Sequence, residues 1–106
     1  MPFEPDVEPD EYAEAVLDAV ESIPPGRVLS YGDIAELVGR GGPRQVGRVM
    51  SLYGGGVPWW RVVRADGGPP RCHERRAHEH YREEGTPLRP DGVRVDMGRA
   101  RWEGPS

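Results

Sequence analysis

The 106 residues are 36% apolar, 30% charged and 8% aromatic, a composition that suits one small globular core rather than a disordered polymer. No run approaches the apolar length of a membrane span, the acidic start has no basic leader region, and the single cysteine, Cys72, excludes an internal disulfide and a thiolate-rich metal site. The expectation is therefore a cytoplasmic protein with no membrane partner. The net charge of −4 conceals an asymmetry: residues 1–26 hold eight acids and no base, whereas residues 37–65 hold Arg40, Arg44, Arg48, Arg61 and Arg64 and no acid. A local field of that sign attracts phosphate even in an acidic chain.

Residues 1–8 read as a flexible acidic tail, and residues 9–103 as one domain. From Pro9 the positions Tyr12, Val16, Ala19, Val20 and Ile23 recur at helical spacing, with acids in the first turn and Pro24-Pro25-Gly26 as the stop. Ser30 starts a second helix, with Asp33 as its capping-box partner. Ile34, Leu37 and Val38 form the expected buried stripe, and Gly39 ends it. Gly41-Gly42 turns the chain, and Pro43 suits the first position of a third helix running to about Tyr53. There Val46, Val49, Met50 and Tyr53 face inward, while Arg44, Gly47, Arg48 and Ser51 share the opposite face.

Two short helices joined by a glycine turn, the second carrying an arginine face, read as a helix-turn-helix. The pattern alone favours the plainer reading, an amphipathic surface helix with solvated arginines. Gly47 bears on the choice. A mid-helix glycine costs about 1 kcal/mol against alanine, and here it leaves the outward face bare between two arginines, where a partner can approach the backbone. It also fits a glycine tolerated in a glycine-rich chain.

Arg61 to Arg64 reads as a short strand closed by the turn Ala65-Asp66-Gly67, and His73 to Glu84 as a surface helix capped by Gly85. Thr86–Arg89 and Val93–Val95 flank the turn Pro90-Asp91-Gly92 as a hairpin, the wing of a winged arrangement. The expected fold is thus mostly α with a small β component, a winged helix-turn-helix DNA-binding domain. Adjacent tryptophans on an extended segment point to opposite sides, so Trp59 and Trp60 cannot both face the core. One of them either offers a stacking face to a nucleobase, worth about 1–3 kcal/mol, or covers a hydrophobic edge. Cys72, His73, His78 and His80 match no zinc spacing, so neither metal nor cofactor is expected.

The residues are similar to those of a known family. Pro24-Pro25-Gly26-Arg27-Val28-Leu29-Ser30-Tyr31-Gly32-Asp33-Ile34-Ala35 resembles the opening of the helix-turn-helix in O6-alkylguanine-DNA alkyltransferases. Arg44-Gln45-Val46-Gly47 with Met50 resembles their R-A-V-G-x-A-M recognition helix. Val57-Pro58-Trp59-Trp60-Arg61-Val62-Val63 resembles their I-P-C-H-R-V-V active-site segment, and Glu84-Gly85 their late E-G. Trp59 stands where these enzymes keep the nucleophilic cysteine, and Trp60 where they keep the adjacent histidine. A tryptophan at the cysteine position marks the alkyltransferase-like proteins, non-enzymatic binders of O6-alkylguanine. Most of them retain the histidine, so Trp60 is a further departure.

The resemblance implies a monomer with no catalytic residue, binding double-stranded DNA that contains O6-alkylguanine through the minor groove. It implies that the damaged nucleotide is flipped into a pocket and flagged for nucleotide excision repair proteins. By position, Tyr31 and Arg44 drive the flipping, and Tyr31, Trp59, Val62 and Arg71 form the base pocket. Arg40, Arg44, Gly47, Arg48, Ser51, Arg61 and Arg64 hold the DNA. A sequence-specific winged-helix transcription regulator is the alternative; it accounts for the helices and wing but not for Pro58-Trp59-Trp60-Arg61. An alkyltransferase using Cys72 is a third reading.

Overall fold

Helix α1 (Glu11–Ser22) begins where Asp10 accepts the Ala13 N–H at 2.8 Å, and it turns Ala13, Val16, Ala19 and Val20 inward. The computed structural model describes residues 10–105, so the expected tail 1–8 lies outside the described residues. After the Pro24-Pro25-Gly26 stop comes a two-residue strand, β1 (Leu29–Ser30), and then the helix-turn-helix. Ser30 caps α2 (Tyr31–Val38) with the full reciprocal box: its Oγ accepts the Asp33 N–H and Asp33 accepts the Ser30 N–H, both at 3.0 Å. Gly39, left-handed at φ 91°, closes α2. Pro43 opens α3 (Pro43–Tyr53), and Gln45 reaches back to the Gly42 N–H at 3.0 Å. Of the expected α2 stripe, Ile34 is buried but Leu37 is 39% exposed.

Beyond α3 the chain makes tight turns at Gly54–Gly56 and Trp59–Arg61 before β2 (Val62–Val63). Strand β2 pairs parallel with β1, Leu29 opposite Val62 and Ser30 opposite Val63. The two strands divide the core by simple alternation. Leu29 and Val62 join the cluster made by α1, α2 and α3. Val28 and Val63 point the other way, into a second cluster with Ala77 and Tyr81 of α4 (Glu74–Glu84), Val95, and Ala100 of α5 (Met97–Ala100). The C-terminal segment lies along β1: Val28 N–H donates to Ala100 O, and Trp102 N–H donates to Val28 O.

The fold is mostly α with a small β component, as expected, and three details differ from the sequence reading. Residues 59–61 are a helical turn rather than an extended segment entering a strand at Arg61, because Arg61 N–H closes onto Pro58 O, and the strand is confined to Val62–Val63. The hairpin shrinks to one antiparallel bridge, Leu88 to Val95, because residues 89–94 spend their bonds within the turn, with Asp91 accepting the Val93 and Arg94 N–H groups. Helix α5 is too short for periodicity to reveal it.

Candidate nucleic-acid interface

The turn Trp59-Trp60-Arg61 is held from behind by Glu84, at the end of α4. One carboxylate oxygen accepts Arg61 Nη2 at 2.6 Å and Trp60 Nε1 at 2.9 Å. The other accepts Arg61 Nε at 3.1 Å and the Gly26 N–H at 3.0 Å. Arg61 Nη1 also donates to Ile23 O, and Tyr81 OH to Trp60 O, both at 2.9 Å. Burial alone would raise the Glu84 carboxyl, but the Arg61, Gly26 and Trp60 donors outweigh it and hold the group below its ordinary value. The Trp60 ring stacks flat on His80 at 3.5 Å between centroids. An indole N–H is a donor only, so Trp60 can brace Glu84 but cannot pass a proton to it and back.

This brace sets Trp59 over an open cavity of about 650 Å³ between the helix-turn-helix and the loop before α4. Tyr31, at the first position of α2, lines it, as do Gly47 and Ser51 of α3, Arg64 and Arg71. Burial raises the Tyr31 hydroxyl above its ordinary range, against the pull of Arg64, so it remains a neutral donor at physiological pH. His73 packs at 5.6 Å from the Trp59 ring.

The expected site residues separate into three groups. Tyr31, Trp59, Arg71, Arg64, Gly47 and Ser51 meet around the cavity. Arg44 and Arg48 are exposed on α3, and Arg40 is exposed with its guanidinium 5.5 Å from the Tyr12 ring centroid. Two expectations are corrected. Arg61 was expected on the DNA but is spent on Glu84, and both side chains are nearly closed to solvent, 13% and 12% exposed. Val62 was expected in the base pocket, with its backbone reading the base edge, but its side chain is fully buried against Leu29 and the α1–α3 cluster and the residue does not line the cavity. The indoles also fail to point to opposite sides of a strand: their centroids lie 5.6 Å apart, edge to face, on one helical turn.

The sequence reading missed Met50, Gly54, Pro70, His73 and Arg76 as cavity residues. Met50 is read in the sequence as a core position and as part of the recognition-helix motif, neither of which marks it as a cavity residue. His73 and Arg76 arrive through the turn at Cys72, whose φ of 71° no local pattern announces. Gly47 has a more definite reading in three dimensions: a Cβ added there meets nothing within 4 Å. Internal packing therefore does not require this glycine, and its bare surface belongs to the cavity mouth.

A capped helix-turn-helix with exposed arginines beside an open cavity walled by Tyr31 and Trp59 defines a class of DNA-binding domain. The model of the 6-O-methylguanine DNA methyltransferase DNA-binding domain matches residues 11–86, and the chain belongs to that family. It is 36% identical to the DNA base-flipping protein of Escherichia coli (strain K12) over 101 residues, covering 88% of this chain and 75% of that one. It is 37% identical to Alkyltransferase-like protein 1 of Schizosaccharomyces pombe (strain 972) over 86 residues, covering 74% and 80%. A crystal structure of S. pombe Atl1 in complex with damaged DNA containing O6-carboxymethylguanine superposes with a TM-score of 0.77 at 31% identity, over 92% of this chain and 99% of that one.

Proposed function

We propose that the chain binds O6-alkylguanine in duplex DNA, turns the damaged nucleotide into the cavity, and holds it for nucleotide excision repair without transferring the alkyl group. The observation that carries this reading is Trp59 on the cavity wall, at the position where the motif of the alkyltransferases has its cysteine. An indole is no nucleophile toward an alkyl carbon, and the neighbouring Trp60 N–H is committed to Glu84. Cys72 is exposed and does not line the cavity, which speaks against a displaced nucleophile. The resemblance to proteins named for base flipping, and to one crystallised on O6-carboxymethylguanine DNA, supports the lesion as ligand.

Extruding a base costs a few kcal/mol, and less when the base pairs poorly. Lesion preference can then arise from lost pairing plus pocket contacts, with no chemical step. In this reading Arg44, exposed on α3, enters the vacated stack, and Tyr31, on the cavity wall, presses on the adjoining backbone.

The test is a paired titration with an O6-methylguanine duplex, labelled on its methyl group, and an unmodified duplex of the same sequence. The expected result is tighter binding of the lesion duplex with no label on the protein. Trp59→Ala should lower the lesion-to-control affinity ratio about tenfold, one decade being about 1.4 kcal/mol, and leave control binding nearly unchanged because phosphate contacts lie elsewhere. Stoichiometric methyl transfer would refute the reading. Preference for one DNA sequence over any lesion would favour a transcription regulator.

A further inference from the structure

Four of the residues around the cavity are arginine or histidine: Arg64, Arg71, His73 and Arg76. Among the described residues no carboxylate lines it. The distribution is uneven in depth. Arg71, His73 and Arg76 are exposed at the mouth, whereas Arg64 is half-buried. Arg64 lies tight against the backbone of Gly68, where an added Cβ would come within 2.7 Å of its Nε. Its Nε is sealed from solvent and has no acceptor among the described residues. The two carboxylates in its field, Asp66 and Glu74, are held first by backbone N–H groups, and neither closes a salt bridge with Arg64. A buried guanidinium N–H without a partner costs free energy that an incoming acceptor recovers.

We propose that this cavity selects O6-substituents ending in an anionic acceptor, such as a carboxylate, over neutral substituents of the same size, with Arg64 as the specificity-determining residue and Arg76 as its support at the mouth. The proposal rests on the reading that an O6-alkylguanine base enters the cavity. Trp59 supplies the apolar contact that any alkyl group can use. His73, packed on the Trp59 ring, places a second donor beside the substituent. An ionised acceptor makes the stronger, charge-assisted bond to a guanidinium fork, and a neutral amide of equal bulk does not. The phosphates of the flipped strand are the competing source of negative charge. They are the same in every duplex, so their contribution cancels in a ratio of affinities.

The experiment titrates the intact chain with four duplexes of one sequence, containing guanine, O6-methylguanine, O6-carboxymethylguanine or its neutral amide, O6-carbamoylmethylguanine. The expected result is that the carboxymethyl duplex binds about tenfold tighter than the carbamoylmethyl duplex. Arg64→Gln should collapse that ratio toward one while O6-methylguanine stays preferred over guanine. Arg76→Gln, an exposed change that leaves the packed interior alone, should reduce the ratio partway, and this outcome does not depend on Arg64→Gln folding. Equal binding of carboxymethyl and carbamoylmethyl duplexes by the parent, with both preferred over guanine, overturns charge selection and leaves base capture intact. Equal binding of all four overturns both. If Arg64→Gln folds and weakens all four duplexes by one factor, Arg64 serves phosphate and the proposal fails.

Discussion

The outer face of α3 and the turn Trp59–Arg61 draw on the same arginine-rich, acid-free stretch of sequence and end in opposite electrostatic states. Arg44 and Arg48 stand in solvent with no salt bridge among the described residues. Arg61 is closed off by Glu84, a residue 23 positions away. One region keeps its charge available for a polyanion. The other spends its charge internally to fix the angle at which Trp59 meets the cavity. A run of arginines in sequence is therefore not a binding surface until each one's partner is known, and the partner that matters lies beyond the reach of local pattern.

The sharpest way to break this contrast is Arg61→Ala. It leaves Glu84 nearly buried with its strongest donor gone, and the expected cost is about 2–4 kcal/mol, a fall in Tm on the order of 10–20 °C for a domain of this size. Lesion preference in the folded fraction should persist. The effect has a defined pH dependence. The folded Glu84 carboxyl is held below its ordinary value of 4.5, so its contribution is complete above that pH and disappears as pH falls through the depressed value. The gap in Tm between parent and Arg61→Ala should accordingly narrow in acid; a gap that is constant down to pH 3 would show that the ion pair is not its source.

Next in size is Arg44→Ala, which should reduce affinity for the O6-methylguanine duplex about tenfold and leave Tm unchanged, one decade corresponding to about 1.4 kcal/mol. Gly47→Ala should move stability and binding in opposite directions. The helix gains about 0.5–1 kcal/mol, because a methyl group there meets no neighbour, while lesion and control duplexes both bind more weakly as the approach is blocked. A Tm rise without a binding loss would remove the close-approach role from this glycine. The smallest effect belongs to Arg48→Ala: a few-fold weaker binding of both duplexes, with the slope of log affinity against log salt shallower by about 0.9.

The parts of the fold legible in sequence are those written over a few residues. Ser30 and Asp33 form their reciprocal box, Pro43 opens α3, and Gly39 and Gly85 close α2 and α4 in the left-handed conformation, each for a reason contained in its own turn. Motif resemblance reached further and brought together Tyr31, Trp59 and Arg71, which no periodicity connects. What stayed hidden depends on long-range partners. Nothing near Arg61 shows that Glu84 will claim it. Nothing near Val62 shows that Leu29 will stand opposite and bury it. Alternation placed Trp59 and Trp60 on opposite sides because it assumes a strand, and the Arg61 N–H to Pro58 O bond makes a helical turn instead. His73 and Arg76 reach the cavity only through the unusual backbone at Cys72.

The pairing of β1 with β2 has a consequence for the edges of the small sheet. A two-stranded sheet ordinarily leaves two open edges, and each is a template onto which another chain can add. Here the chain covers both itself. The last described residues bond to Val28 just ahead of β1, and the Arg64 N–H beyond β2 is taken by Gly68 O across its own turn. Residues 100–102 thus act as an edge guard: trimming them would uncover Val28 and the adjoining edge of β1 and invite chain-to-chain association without touching a single group in the cavity.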